Sequence, residues 1–545
     1  MHEDVPGTIA EAAARIRSRE LSPVDLVTES LGRIATYDPA VNAFITVTAQ
    51  AAMAQARQAE KEITQGRYRG ALHGIPYALK DNYLTKGILT TGHSRLHAQR
   101  VPATNAAAVD RLHDAGAILL GKNSMHELAH GGPSFDLPWP PARNPWNLAH
   151  FTAGSSSGSA AAVAAGMALG ALGTDTGGSV VNPAALCGLV GIKPTFGLVS
   201  RRGVIPNCFS LDHCGVIART SEDCAILLNA IAGPDPCDRS CIAAPAPDFL
   251  AGLRAGLQGV RVGVVRHFAS EAAASTGELH RATEDALSLL VKLGARLHDV
   301  KLRSLHDYYD VWTLIEAPET FEIQRQALIE QPEIFGSVFL TRTLIACLIN
   351  AADYMAAQRE RTTIIAEMQS LFTDCDVLVC AGAGPAPVLD PGLARWPTPN
   401  RTVPFTLTGF PMISVPTGFT ANGMPLSVQL IGKPGEDARL LGMAHAYEQA
   451  SGWTRHRAPV QSHVPAPVAG GMATPGVTAT APDILRLCEE SSNHAGLRLP
   501  ERPLALLCEA APAMLEMIAR VRARQRPGVE PANVFIACGG TVHGP

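Results

Sequence analysis

Neither sign of charge is in excess in this sequence. The 545 residues include 45 Lys and Arg against 49 Asp and Glu, which gives a formal net charge of -4. Binding to nucleic acid or to an acidic membrane relies on a basic surface, so this balance argues against both kinds of partner. Charged residues are also few, 17% against 46% hydrophobic residues. The composition predicts a compact globular protein with a large core that acts on a neutral or small-molecule ligand.

Long hydrophobic runs are missing as well. The longest apolar stretch, residues 160–173, falls short of the ~20 residues that span a bilayer. Because it is rich in Ala and Gly, it predicts a tightly packed core helix. Residues 1–7 lack the basic and apolar regions of a secretory signal. We therefore expect a cytoplasmic protein that does not enter a membrane.

The cysteines, 12 in number, form no CxxC pair and follow no regular spacing. A chain of this length can bury enough apolar surface to fold without disulfides. The sequence therefore predicts free thiols, most of them buried.

Hydrophobic periodicity predicts an α/β fold. Residues 9–62 have helical periodicity, with Ser22 as an N-cap and Pro23 as the first residue of a helix. From 74 to 206, short apolar runs alternate with Ala-rich helical stretches and Gly-rich turns, which is typical of a sheet with helices on both faces. Further strand-like runs lie at 260–265, 376–380, 412–416 and 426–432.

The composition changes after residue 460, where large apolar residues give way to Pro, Ala, Gly and Thr. We therefore assign residues 1–460 to one α/β domain, 461–482 to a linker and 483–545 to a small helical module of one or two helix pairs. Four arginines alternate near the end of this module, and such a run is more often a solvated face than a binding site. They are Arg520, Arg522, Arg524 and Arg526.

Three segments combine a reactive side chain with small neighbours, namely 74–82, 152–159 and 173–179. Lys80 ends an apolar run in the first, where burial would lower the lysine pKa, as a general base requires. Ser179 follows two glycines in the third, and such a turn lets consecutive N–H groups converge on a substrate oxygen. A hydroxyl of the second segment could bridge this lysine to this serine. On chemistry alone Ser155, Ser156 and Ser157 are equivalent for that role.

The stretch 154–195 resembles the Gly/Ser-rich signature of the amidase signature family of serine hydrolases. The similarity extends over roughly the first 460 residues and includes GIP at 74–76, KDN at 80–82, NPW at 144–146, CGLVG at 187–191, KPT at 193–195, GFP at 409–411 and QLIG at 429–432. The resemblance implies a large mixed, twisted sheet covered by helices on both faces. It also implies a Ser-Ser-Lys triad, with Lys80 as general base, Ser155 in a cis peptide as proton relay and Ser179 as nucleophile.

By this resemblance, neutral Lys80 accepts a proton through Ser155 while Ser179 attacks the carbonyl, and water then clears the acyl-enzyme. The oxyanion would be held by four backbone N–H groups, those of Thr176, Gly177, Gly178 and Ser179. No metal ion or other cofactor is required.

Four polar residues beside these positions are candidates for supporting roles, as hydrogen-bond partners of the lysine or of the serine-rich loop. They are Asp81, Asn82, Ser156 and Asp175. For Asp81, Asn82 and Asp175, an alternative of equal weight is that these polar residues only form turns.

Two other motifs compete with this interpretation. Residues 126–130 match the H-E-x-x-H zinc motif, but the GGP at 131–133 would end the helix and no third ligand is evident. Residues 154–158 match the G-x-S-x-G motif, which would make Ser156 the nucleophile. That mechanism needs a His, and none of the available ones has a recognisable context: His213, His280, His298 and His306.

The sequence departs from the family pattern at Val181, where many members carry Arg two residues after the nucleophile. The missing guanidinium argues against a carboxylated substrate and favours uncharged amides, anilides, carbamates or esters. We expect parts of 315–355 and 396–410 to shape the acyl pocket. A homo-oligomer is compatible with the sequence.

The C-terminal residues 493–535 resemble a small helical partner subunit of some amidases of this family, here fused to the chain. The expected role is an intramolecular brace or an assembly surface. The alternative to a free-standing hydrolase is an amidotransferase-type subunit of a larger aminoacyl-tRNA amidation assembly. The residue at Val181 and the lack of a basic patch argue against that alternative.

Overall fold

A computed structural model describes residues 6–272, 276–394, 399–463 and 480–524. The α-helices are α1 Ile9–Arg17, α2 Pro23–Val41, α3 Ala49–Thr64, α4 Ala107–Asp114, α5 Ser157–Ala164, α6 Val181–Leu186, α7 Ser221–Ile231, α8 Phe249–Gly252, α9 Phe268–Glu271, α10 Gly277–Lys292, α11 Leu305–Glu330, α12 Ser337–Thr343, α13 Ala351–Leu371, α14 Val403–Leu407, α15 Asp437–Ser451, α16 Pro482–His494 and α17 Glu501–Ala523. The strands are β1 Phe44–Val47, β2 Pro76–Lys80, β3 Ile118–Asn123, β4 Gly170–Asp175, β5 Val190–Lys193, β6 His213–Ala218, β7 Arg261–Val264, β8 Arg296–Asp299, β9 Val377–Ala381, β10 Met412–Phe419 and β11 Pro425–Gly432.

One sheet contains these 11 strands, in the order β1-β3-β2-β4-β6-β5-β10-β11-β9-β7-β8. β2 runs parallel to β3 and β4, and β7 runs parallel to β8 and β9. The other neighbouring strands are antiparallel. The sheet is therefore mixed, as the resemblance implied.

Helices cover both faces of the sheet because successive side chains of each strand point to opposite faces. Leu79 belongs to the core that packs under α1, α4, α7, α10 and α15. Its neighbour Ala78 belongs to the core under α3 and α5 on the other face. Farther along that second face, Leu378 and Met412 pack under the helices from α11 to α14. The expected fold class is confirmed.

Local signals place α2 as predicted. The Ser22 hydroxyl accepts a hydrogen bond from the N–H of Val24 at 2.9 Å, and Pro23 is the first helical residue. An N-cap of this kind satisfies one of the N–H groups that the first turn of a helix leaves without a partner.

Two stretches expected to be helical are interrupted by strands. In 9–62, Phe44–Val47 forms β1, since its aromatic and β-branched residues pair with β3. In 160–173, the helix ends at Ala164 and a strand begins at Gly170. Gly166 has a φ of 68°, which ends the helix there. The strand is buried on both faces and so lacks the alternation that would have distinguished it from a helix.

The cysteines that the structure describes are all free, and most are buried, as predicted. Within the described ranges no single helix is long and apolar enough to cross a membrane. One bent pair, Ser337–Leu348 with Ala351–Leu371, meets the length and composition criteria together and is bent by 101°.

The predicted C-terminal module contributes one helix pair, α16 and α17. Both helices pack against the helices of the second sheet face, and Leu507, Met514 and Ile518 belong to the same core as residues of α11. The boundaries at 460 and 482 stay predictions, because 464–479 and 525–545 lie outside the described residues.

Candidate active site

Lys80 is the last residue of β2 and is fully buried. Its Nζ donates hydrogen bonds to Ser155 Oγ at 2.7 Å and to Thr174 Oγ1 at 2.8 Å. Burial lowers the pKa of Lys80 to about 7, although the nearby Asp175 and Asp212 oppose this shift. A buried lysine with such a pKa can exchange a proton near neutral pH.

Ser155 stands at the start of the serine-rich loop, and the peptide bond between Gly154 and Ser155 is cis. A Cβ on Gly154 would lie 2.1 Å from the His126 ring, so only glycine fits there. The buried Ser156 hydroxyl instead lies 3.3 Å from both the N and the O of Thr174. The hydrogen bond from the lysine therefore distinguishes Ser155 from Ser156. Because Ser156 is fully buried, the G-x-S-x-G motif offers no accessible nucleophile.

Ser179 closes the turn that follows β4. Its carbonyl accepts a hydrogen bond from the N–H of Ser156 at 3.1 Å, which ties this turn to the serine-rich loop. The residue is partly exposed, and its hydroxyl has no hydrogen-bond partner among the described residues. Gly178 in the same turn has a φ of 115°, and a Cβ there would lie 2.1 Å from Thr402 Oγ1. The turn thus requires glycine and presents a free hydroxyl.

Asp175 holds this turn in shape. Its carboxylate accepts hydrogen bonds from the N–H of Gly178 at 2.7 Å and from the N–H of Val180 at 2.8 Å. The Gly178 N–H is therefore occupied within the protein and is not free for a substrate oxygen. Three of the four expected N–H groups have no acceptor in the described ranges and stay candidates for an oxyanion hole: Thr176, Gly177 and Ser179.

The two polar residues after Lys80 differ in what they contact. Asp81 pairs with buried Lys122 at 3.1 Å and accepts hydrogen bonds from Thr91, so the expected contact with Lys80 is replaced by a separate buried ion pair. Asn82 donates to Thr174 Oγ1 at 3.0 Å, the same atom that accepts from Lys80. Asn82 thus supports the lysine through Thr174.

Sequence reasoning missed the side chains that hold the Gly-rich turn from outside. Trp312 on α11 donates its Nε1–H to the carbonyl of Thr176 at 2.8 Å. Thr402 donates its hydroxyl to the carbonyl of Gly177 at 2.8 Å. Only Thr402 lies in a segment expected to line the pocket. Nothing local marks a single Trp or Thr as a partner of a turn more than 100 residues away.

The H-E-x-x-H motif does not form a zinc site. Its short 3-10 helix is broken at Leu128, where φ is 49°, so the two histidines do not share a helix face. His130 Nδ1 lies 3.1 Å from Glu316 Oε1, and Glu127 accepts hydrogen bonds from Ser94 and Gly336. In the part of the chain that is described, no group of three or more His, Cys, Asp or Glu residues is placed to hold a metal ion.

Arg342 on α12 brings a guanidinium to the same region. Its charge interacts with Tyr309 and Glu316. Burial lowers the pKa of His126, whose ring packs against Gly154, and the charge of Arg342 adds to this lowering. In the described structure Arg342 makes no ion pair or hydrogen bond, and its Nε is buried while the side chain is partly exposed. Desolvation lowers the pKa of Arg342. An unpaired guanidinium of this kind is suited to bind a carboxylate.

Comparison with known proteins gives consistent matches. A family model described as Amidase matches residues 25–441. One subunit of the glutamyl-tRNA(Gln) amidotransferase of Methylococcus capsulatus is 38% identical over 478 residues, which cover 82% of this chain and 97% of that protein.

Two solved structures are similar over their whole length. One comes from a complex described as revealing the evolutionary origins of an s-triazine catabolic enzyme. It has a TM-score of 0.76 and 31% identity, covering 82% of this chain and 98% of that one. The other is the peptide amidase of Stenotrophomonas maltophilia, with a TM-score of 0.72 and 30% identity, covering 84% of this chain and 99% of that one. Helices α16 and α17 lie outside the residues that the family model matches.

Proposed function

This chain belongs to the amidase signature family, and we propose that it hydrolyses the C–N bond of a small amide with Ser179 as nucleophile, Ser155 as proton relay and Lys80 as general base. The observation that carries the proposal is the 2.7 Å hydrogen bond from Lys80 Nζ to Ser155 Oγ, in a site where burial lowers the lysine pKa. The hydrogen bond from Ser156 N–H to Ser179 O keeps the two serine-bearing loops together.

Each step of this proposal conserves protons. As Ser179 Oγ attacks the amide carbon, its proton passes to Ser155 Oγ while Ser155 gives its own proton to neutral Lys80. The N–H groups of Thr176, Gly177 and Ser179 are available to stabilise the oxyanion. The relay then runs backward to protonate the leaving nitrogen, and water hydrolyses the ester on Ser179. Carbamates, anilides and esters pass through the same kind of intermediate and are further candidate substrates.

We further propose that the substrate carries a carboxylate. The expectation of an uncharged substrate rested on Val181, but a guanidinium does not have to come from that position. Arg342 lies on α12, its charge acts on His126 beside Gly154, and among the described residues it is unpaired and partly desolvated. The contribution of such a group to carboxylate binding comes from charge-assisted hydrogen bonds, which strengthen as water is excluded.

This substrate assignment predicts a selective effect of Arg342→Met. We expect kcat/KM for glutaramate, a primary amide with a carboxylate, to fall roughly 10- to 100-fold, since a hydrogen bond to a charged group contributes about 1.5–3 kcal/mol. For valeramide, which has the same chain length without the carboxylate, the change should stay within about threefold. Ammonia release by the purified full-length chain measures both. Equal losses on the two amides would assign Arg342 a structural role.

A second candidate function is that of an ammonia-releasing component of an amidotransferase, because relatives such as the Methylococcus capsulatus protein are named as a subunit of glutamyl-tRNA(Gln) amidotransferase. Glutamine is itself an amide with a carboxylate, so Arg342 suits this function too. The two functions differ in whether partners are needed. Ammonia release from glutamine or glutaramate by the chain alone supports a free-standing hydrolase, whereas activity that appears only with added partner proteins and aminoacyl-tRNA supports the second candidate.

The pH dependence of kcat/KM should follow the titration of Lys80. Because the lysine must be neutral to accept a proton, activity is lost as the pH falls through the lowered pKa of about 7. We expect kcat/KM for an uncharged amide to drop about tenfold per pH unit below that value and to level off above it. Initial rates between about pH 5 and pH 9 check this. A profile that still rises about tenfold per pH unit at about pH 9 would mean that the lysine retains an ordinary pKa.

A further inference from the structure

The arginines near the end of α17 are partly solvated, as the sequence predicted, but the three that the structure describes also bind buried aspartates. Arg520 binds Asp310 through two hydrogen bonds of 2.7 and 2.8 Å, and Arg524 adds a third of 3.0 Å to the same carboxylate. Arg522 binds Asp353 in the same two-pronged way, at 2.6 and 2.9 Å. Arg526 lies outside the described residues.

Asp310 lies on α11, and its side chain is 1% exposed. Successive helix residues are rotated by about 100°, so Asp310 and Trp312 project to opposite sides of α11. Asp310 faces α17. Trp312 faces the Gly-rich turn, where it donates to the carbonyl of Thr176 and would lie 2.8 Å from a Cβ on Gly177. Helix α11 is therefore held between α17 on one side and the turn on the other.

We propose that α17, through Arg520 and Arg524 on Asp310, is a positioning element of the active site that presses α11 and Trp312 against the oxyanion-binding turn. The inference rests on the proposed function, because the turn matters only if it binds an oxyanion. Two-pronged contacts to a buried carboxylate fix both the distance and the angle between two helices. Donors in an oxyanion hole lose much of their effect when they move by about 1 Å.

Arg522 supplies a matched comparison within the same helix. Its contact with Asp353 has the same geometry, and the Asp353 side chain is likewise 1% exposed. Asp353 belongs to α13, where it completes the capping box with Asn350. Among the described residues, α13 makes no hydrogen bond to 176–179. Both arginines attach α17 to a buried carboxylate, but of the two only Arg520 attaches it to α11, the helix that carries Trp312.

The test compares Arg520→Met with Arg522→Met in the full-length chain. We expect Arg520→Met to lower kcat roughly tenfold with KM changed less than about twofold, because the turn acts on the transition state rather than on substrate binding. Arg520→Lys, which keeps the charge, should recover part of kcat. Arg522→Met should leave kcat within about twofold of the wild type. It should lower the free energy of unfolding in urea about as much as Arg520→Met does. Equal kcat values for the two methionine variants would overturn the proposal.

Hydrogen exchange of the peptide containing 176–179 provides a measurement that does not depend on turnover. We expect faster exchange of these N–H groups in Arg520→Met than in Arg522→Met. If Arg520→Met does not fold, Asp310→Asn serves instead, since it removes the carboxylate without leaving a buried charge unpaired. Exchange that is the same in all variants overturns the positioning role even if the wild-type chain hydrolyses no amide. Altered exchange without any wild-type turnover would instead contradict the proposed function alone.

Discussion

Replacing Ser179 with alanine is expected to remove turnover of every substrate that the wild-type chain hydrolyses, with a loss on the order of 10⁴-fold or more in kcat. The change deletes one oxygen from a partly exposed residue whose hydroxyl has no partner in the described structure. Because no hydrogen bond is lost, we expect the stability of the fold to be unchanged. The lost step is formation of the acyl-enzyme. The remaining rate reflects substrate binding and the oxyanion hole alone.

Ser156→Ala provides the control. Its hydroxyl contacts only the backbone of Thr174, at 3.3 Å, so we expect a loss of stability of about 1 kcal/mol and a kcat within about tenfold of the wild type. Both variants are measured on an amide, a carbamate and an ester, and their folding is compared in urea. If Ser179→Ala turns over substrate faster than Ser156→Ala, the nucleophile is Ser156, the serine of the G-x-S-x-G motif.

Lys80→Met should be the second most damaging change, with kcat lowered about 10³-fold or more. Methionine fills nearly the same volume but cannot hold a proton. Ser155 then loses the Nζ at 2.7 Å that would take its proton. The variant should be at least as stable as the wild type near pH 6, because the wild type must bury a charged lysine below its pKa of about 7.

Lys193→Met is the matched control. Lys193 is also fully buried at the end of a strand, its pKa is lowered to about 8 by burial, and its Nζ donates to the carbonyl of Phe410 rather than to a serine. We expect this variant to keep kcat within about tenfold of the wild type. The acid limb of the pH profile should persist in Lys193→Met. If Lys193→Met loses as much activity as Lys80→Met, proton transfer by Lys80 is not the cause of the loss.

Local sequence predicted those parts of the site that lie within one short segment. The apolar run before Lys80 predicted a buried lysine, because a β-strand at the centre of a sheet excludes water. The two glycines before Ser179 predicted a tight turn, because positive φ and close packing both exclude a side chain. The cis peptide at Ser155 followed only from the resemblance to a family.

Several functions of single residues could not be read from their neighbours in sequence. Asp81 and Asp175 are both acidic residues beside a catalytic candidate, yet one pairs with Lys122 and the other binds the N–H of Gly178. The difference arises because each carboxylate accepts hydrogen bonds from the donors that lie within about 3 Å, and the surrounding strands and turns decide which donors those are. One of the four expected oxyanion donors, the N–H of Gly178, is accordingly occupied within the protein.

The sequence by itself determined the family, the mixed sheet with helices on both faces, and the three segments that supply Lys80, Ser155 and Ser179. The helices on both faces follow from periodicity, and the three segments follow from short local motifs. The mixed sheet and the family follow from the resemblance of these motifs to the amidase signature. Only the tertiary structure decided which groups surround that centre. Trp312 and Thr402 reach it from a helix and a loop more than 100 residues away, and α17 reaches α11 through Asp310. Contacts of this kind depend on how helices pack on a completed sheet, and no local pattern encodes them.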